Sequence, residues 1–362
     1  MSRRFLCAAA LAAVFALGLA GTALAVEKKW TGAIDNKWNE AGNWDNGVPT
    51  SDDTAIIEGA AVKVDSADAT AKVVSLGQGA TLSIESAGKL ALAAGGALHA
   101  SGDATVEVKA ADGLEFTAAT NIAVSPDKTL TLKRKAPGNI KGAGDLTLTD
   151  KGTLVLATSV TTASDLKITD GGTLVVEADG DLPALTGTPA ITDGSIVINK
   201  ENFGNAAAGL TLTKGNLTLN KSMKPNLKKV VITSGDLVVA EGAKIGNGDD
   251  TAPDGVVDLK DKGHLVLSGD LALKELKTAD GSKITANGNV LTVKPAAAFE
   301  LNAGIDKGTL SLDVVAGQMA ALSKDVANVV FNGKSGGAPT LKFDERVFVN
   351  HLDIRGSTTE PA

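Results

Sequence analysis

The chain has 362 residues, a net charge of −7, one cysteine, no tyrosine, and 41 glycines against 10 prolines. A surplus of acid argues against nucleic acid as a partner, and a lone thiol excludes an internal disulfide framework or a cysteine-ligated metal centre. Length alone permits two compact domains or one long repeat array, so internal repeats decide the architecture.

At the start, Arg3 and Arg4 precede an apolar run over residues 5–19, and Ala23, Leu24 and Ala25 end it with small side chains. This is the pattern of a secretory signal peptide over residues 1–25, with cleavage expected before Val26. The run is shorter than the ~20 residues a spanning helix needs, so no membrane insertion is expected after cleavage. Cys7 lies inside that run. Loss of Arg3 and Arg4 leaves 33 basic against 42 acidic side chains, with Arg134, Arg346 and Arg355 as the remaining arginines. The expected location is secreted or cell surface, with the periplasm as the alternative.

Residues 26–58 hold all three tryptophans, Trp30, Trp38 and Trp44. One reading is an N-terminal cap, since the end of a repeat array exposes unpaired strand edges. The other is a glycan site, since indole faces stack on sugar rings.

From Gly152 a phrase recurs: Gly-Thr-Leu-Val-Leu at 152, Gly-Thr-Leu-Val-Val at 172, Gly-Ser-Ile-Val-Ile at 194, Gly-Asn-Leu-Thr-Leu at 215 and Gly-Asp-Leu-Val-Val at 235, followed by Gly-His-Leu-Val-Leu at 263. The steps are 20, 22, 21, 20 and 28 residues. A second short strand ending in threonine precedes most of these glycines, as at Thr149, Thr169, Thr213 and Thr233. Strands of three to five residues with period two, cornered by Gly and Asp, cannot bury their apolar side alone; stacked copies bury one another and pair every backbone group. The expected fold is therefore all-β, a right-handed parallel β-helix (β-solenoid) with capped ends, its coils over residues 59–316. Looser copies at 79–84, 88–92, 102–108 and 129–132 extend it toward the N-terminus. About 12 coils at ~4.8 Å each give a rod of ~60 Å. Leu154, Leu174, Ile196, Leu217, Leu237 and Leu265 should form one inner ladder. Between the inner residues, Val155, Val175, Val197, Thr218, Val238 and Val266 should face outward as an apolar stripe, covered by another part of the chain, by a partner or by self-association.

The 28-residue step contains an insertion with Asp250, Asp254, Asp258 and Asp261 at positions one, five, nine and twelve of a loop that partly matches EF-hand spacing. Ala252 and Pro253 stand at positions three and four, so the third position's ligand is missing, and calcium and a solvated loop are both open readings. Asp150, Asp170 and Asp193 fall at equivalent corners, which suits a bridging cation or simple solvation. His99, His264 and His351 have no ligand spacing. Residues 317–362 break the rhythm and are expected to form a C-terminal cap, with a short helix over 318–325 and strands over 326–331, 340–343 and 347–354.

The tryptophan segment, with Trp38-Asn-Glu-Ala-Gly-Asn-Trp44 and Asp52-Asp53-Thr-Ala-Ile-Ile57, resembles the segment with which many secreted bacterial β-helix proteins begin. Ile140-Lys-Gly-Ala-Gly-Asp-Leu146 with Gly152-Thr-Leu-Val-Leu156 and Gly171-Gly-Thr-Leu-Val-Val176 resembles the repeat of autotransporter passenger domains. The resemblance implies a passenger-like β-helix displayed or released at the cell surface. Departing from that pattern, the chain ends at Glu360-Pro-Ala362 without the alternating strands of a membrane barrel; export by another protein, a periplasmic location or a shortened relative are the expectations that follow. The functional expectation is a structural, adhesin-like protein with no catalytic activity and a cell-surface glycan or protein partner. The alternatives are a carbohydrate-active β-helix enzyme of the polysaccharide-lyase kind and a calcium-dependent glycan-binding module.

Overall fold

The computed structural model describes residues 26–142, 144–178, 180–183, 189–200, 209–220, 228–247, 249–314, 318–333, 340–343 and 347–356; the expected signal segment 1–25 lies outside them. The chain is all-β, with 58% of the described residues in strands, and forms a β-solenoid of about 13 turns. Among the described residues the one helical element is a 3-10 turn at Ala41–Asn43.

Each coil contributes up to three faces. The first face runs through Thr54–Ile57, Thr120–Val124, Gly144–Thr149, Ala163–Ile168 and Leu210–Leu212, and through the leading halves of Lys229–Val239 and Val256–Leu267. The second carries Ala61–Val64, Thr81–Ile84, Ala104–Val108, Thr129–Arg134, Thr153–Ala157, Gly172–Val176, Gly194–Ile198 and Gly215–Leu219. A third face is formed early by Leu114–Phe116 and Ile140–Lys141, and late by Leu271–Leu273, Val290–Val293 and the trailing half of Gly304–Val314. Every pairing between these strands is parallel, so successive coils advance in the same sense.

Register is what turns the sequence repeat into a core. Leu154, Leu174, Ile196, Leu217, Leu237 and Leu265 are consecutive partners, as are Leu156, Val176, Ile198, Leu219, Val239 and Leu267, and all are fully buried. The expected ladder is thus present residue for residue. On the first face Ile122, Leu148, Ile168, Ile191, Leu212, Ile232 and Leu259 form its counterpart. Leucine, isoleucine and valine recur because a side chain stacked on its equivalent one strand away fills the interior without a void.

The repeat glycines have a sharper reason than corner freedom. Gly194, Gly215 and Gly235 have φ of +152°, +131° and +114°, and a Cβ at Gly215 would lie 1.6 Å from the carbonyl oxygen of Gly194. At Gly235 the same atom would lie 1.8 Å from the Gly215 oxygen. Stacked coils meet backbone to backbone here, and no side chain fits.

One expectation about the ends is corrected. Residues 318–325 do not form a helix: Met319–Leu322 is a strand, parallel to Phe299–Leu301 and Thr340–Phe343. The alternation Ala320 in, Ala321 out, Leu322 in has period two, which the small alanines disguised. Within the segment expected as a C-terminal cap, Val326–Gly333 and Val349–Gly356 continue the second and third faces in parallel register. At the other end, Glu27–Lys29 pairs in parallel with Thr54–Ile57, so the first rung starts inside the segment expected to be cap alone.

Leu217→Ala should cost about 2–5 kcal/mol through lost burial and a cavity, whereas outward Thr218→Ala should stay within about 0.5 kcal/mol. Gly215→Ala should also lower the thermal midpoint. Denaturant unfolding followed by circular dichroism checks this, and equal losses for Leu217→Ala and Thr218→Ala would contradict the assignment of faces.

Candidate functional site

Three regions carry the chemistry that the sequence singled out: the tryptophan segment, the outward side of the second face, and the loop before Val256.

In the tryptophan segment, Trp44 is central. Its ring lies 5.0 Å from both Trp30 and Trp38 in edge-on packing, and its Nε1 donates to the Trp38 carbonyl at 2.7 Å. Trp38 and Trp44 are buried and Trp30 is half-buried. Backbone bonds from Trp30 N to the Ile56 carbonyl and from Trp38 N to the Lys63 carbonyl fasten the segment to the first coil. Trp38 and Trp44 therefore present no face to a sugar, and the arrangement is that of a lid over the open end of the core.

Sequence reasoning missed the polar residues that hold this lid. Asn43, fully buried, receives Ile34 N and Asp35 N at 2.9 Å and donates to Asp35 Oδ1 at 2.6 Å and to the Lys37 carbonyl at 3.0 Å. All four of its hydrogen-bonding positions are used. Asp53 receives Thr50 Oγ1 at 2.7 Å, Thr50 N at 2.9 Å and Val26 N at 3.3 Å. Burial works against its charge, but the Thr50 and Val26 hydrogen bonds and the nearby Lys28 outweigh it and pull the carboxyl below its usual range. An asparagine and an aspartate among many give no periodic signal, which is why they were not legible.

On the second face the outward column is in register over many coils: Thr81, Thr105, Thr131, Val155, Val175, Val197, Thr218, Val238, Val266 and Thr285. The valines are half-buried, each shielded by β-branched partners on the adjoining strands. Polar ladders flank them. Asn220 Nδ2 donates to Asn199 Oδ1 at 2.8 Å, and Asn199 Nδ2 to Glu177 Oε1 at 3.2 Å. On the other side His264 lies 3.0 Å from Asp236 Oδ1 and 2.9 Å from Thr285 Oγ1. Chemically this is a flat strip of threonine and valine with hydrogen-bonding groups along parts of its margins.

The acidic loop is not a cluster. Asp250 is held by Lys244 Nζ at 2.8 Å, and Asp254 by Lys228 Nζ at 2.8 Å and Asn247 N at 2.5 Å. Asp258 belongs to strand Val256–Leu267, between Val231 and Lys277, and Asp261 turns the corner with φ of +41°. The second half of the supposed loop is thus coil, and strand pairing draws Asp258 and Asp261 away from Asp250 and Asp254. Among the described residues no three His, Asp or Glu side chains gather as a metal site. The strand registers do place Asp150, Asp170 and Asp193 at one corner, and that acidic run ends on Lys214, whose Nζ lies 2.7 Å from Asp193. His99 and His351 stand apart, opposite Ser75 and Asn328.

A groove of about 500 Å³, unforeseen from the repeat, lies beside the first face, lined by Lys274, Glu275, Lys277, Thr278, Phe299 and Asn302. Its signal in the sequence is Pro295-Ala-Ala-Ala298, which interrupts the rhythm. The floor is apolar, through buried Leu276 and Phe299, and the rim carries both signs of charge.

Residues 29–114, just under a quarter of the chain, match a family described as a domain of unknown function (DUF8693). The match takes in the tryptophan lid and the coils directly beneath it. No curated protein and no solved structure matches the chain.

Asp53→Asn should lower the melting temperature at neutral pH. Since the native carboxyl is depressed, its contribution is complete above the ordinary carboxylate pKa and disappears as pH falls through the lowered native value. The gap between variant and parent should therefore close below about pH 4. Melting curves from pH 7 to acid check this, and a constant gap would contradict the hydrogen-bonded carboxylate.

Proposed function

We propose that the protein is an exported, passenger-like structural rod at the cell surface, adhesin-like and without catalytic activity, which works by presenting a regular strip to a glycan or protein partner or to another copy. The observation that carries this reading is the second face: one outward column of threonine and valine stays in register from Thr81 to Thr285, with hydrogen-bonding ladders beside it. A surface that repeats at each ~4.8 Å step suits many weak, equivalent contacts with an extended or repetitive partner. Export is supported by the charged, apolar and small-residue order of residues 1–25, and by coils that need no thiol. The resemblance of the tryptophan segment and the glycine repeat to autotransporter passengers points to the same location.

A second reading is favoured by the groove beside Lys274, whose amine and neighbouring carboxylates are the groups a carbohydrate-active β-helix enzyme would need for proton abstraction.

Protease shaving of intact cells, followed by fractionation, separates the outcomes. The expected result is cleavage of the protein on intact cells; protection until the outer membrane is opened would defeat the surface reading. Release of unsaturated products from an acidic polysaccharide, lost in Lys274→Ala, would replace the structural reading by the enzymatic one.

A further inference from the structure

The two ends of the solenoid are finished differently. Trp38 and Trp44 fill the mouth of the first coil. At the other end Val349–Gly356 pairs with Val326–Gly333 along one edge only, and among the described residues no strand takes its other edge. Leu352 and Ile354 are the register partners of buried Val329 and Phe331, so they occupy inner columns of the core, yet they are 40% and 65% exposed. Phe343 and Phe348, also near this end of the chain, are 38% and 73% exposed. Core positions lie open next to an unpaired strand edge, a combination that recruits another strand.

We propose that this end is the contact surface for a second copy of the chain, the last strands of the two copies pairing antiparallel about Ile354 to make an end-to-end dimer. A closed two-fold contact uses the same patch on both copies, and the lidded N-terminal end cannot serve as its complement. Charge selects the register. Asp353 and Arg355 lie on the outward side of the strand, already joined at 2.7 Å. Antiparallel pairing centred on Ile354 sets Asp353 opposite the second copy's Arg355 and Arg355 opposite the second copy's Asp353, whereas centring on Asp353 would oppose two like charges. In the chosen register Leu352 faces Gly356, which leaves room for its side chain, and the two Ile354 side chains meet at the axis. The interior columns then run through the junction and the rod doubles in length.

Sedimentation of the full chain over a wide concentration range tests this. The expected result is a reversible dimer. Ile354→Lys should abolish it with little change in the melting curve of the coils, because that side chain is 65% exposed within its own copy. Asp353→Arg alone and Arg355→Asp alone should each raise the dissociation constant about tenfold or more, and the exchanged double variant should restore it. Val197→Lys, on the outward strip, should leave the dimer intact. A monomer at every concentration overturns the proposal, as does a dimer that survives Ile354→Lys or that is lost in Val197→Lys.

Discussion

The spacing between stacked coils, set by the parallel backbone ladder, constrains everything else in this molecule. Because each strand must hydrogen-bond to the coil before and the coil after, a residue can face inward only where its register partners also face inward. Leu217 is confined by Ile196 on one side and Leu237 on the other, and the same holds along the core. Length can then vary only at corners and loops, which is why the steps between repeats range from 20 to 28 residues while the inner ladder stays unbroken. Where coils approach most closely the constraint falls on the backbone itself, and Gly194, Gly215 and Gly235 mark that line of contact.

Parallel sheets are ordinarily covered on both sides by other elements, but here one side is the shared interior and the other is surface. Outward side chains are accordingly shielded by their own equivalents above and below, which explains half-buried valines and the amide chain from Glu177 through Asn199 to Asn220. Lysine–carboxylate pairs between coils serve the same end: Glu115 lies 2.6 Å from Lys89 and 2.8 Å from Lys141, and the Lys141 and Lys89 hydrogen bonds hold its carboxyl below the usual range. The repetition that stabilises the rod also gives it a periodic surface, so structure and proposed function share one cause.

Much of the fold was legible in the sequence because period two and a roughly 21-residue step are both carried by side-chain type. Leucine and isoleucine in phrases such as Gly194-Ser-Ile-Val-Ile198 declare an inward position, and valine or threonine between them an outward one. Legibility failed where side-chain type was uninformative. Ala320 and Ala321 suit helix and strand alike, so Met319–Leu322 was misread. The candidate sites were less legible still: spacing alone grouped Asp250 with Asp258, yet strand pairing assigned Asp258 to a coil, and the lid depends on Asn43 and Asp53, single polar residues that no pattern announces.

Disulfide trapping between coils tests the parallel stack most directly. In-register partners on adjoining strands stand ~4.8 Å apart, within reach of a disulfide, while residues two coils apart are ~10 Å away and beyond it. With cysteines at Val197 and Thr218, register partners one coil apart, oxidation should give rapid intramolecular cross-linking, readable as a mass loss and a mobility shift reversed by reductant. With cysteines at Val197 and Val238, two coils apart, it should give none. Cross-linking of the second pair but not the first would contradict the register on which the account rests.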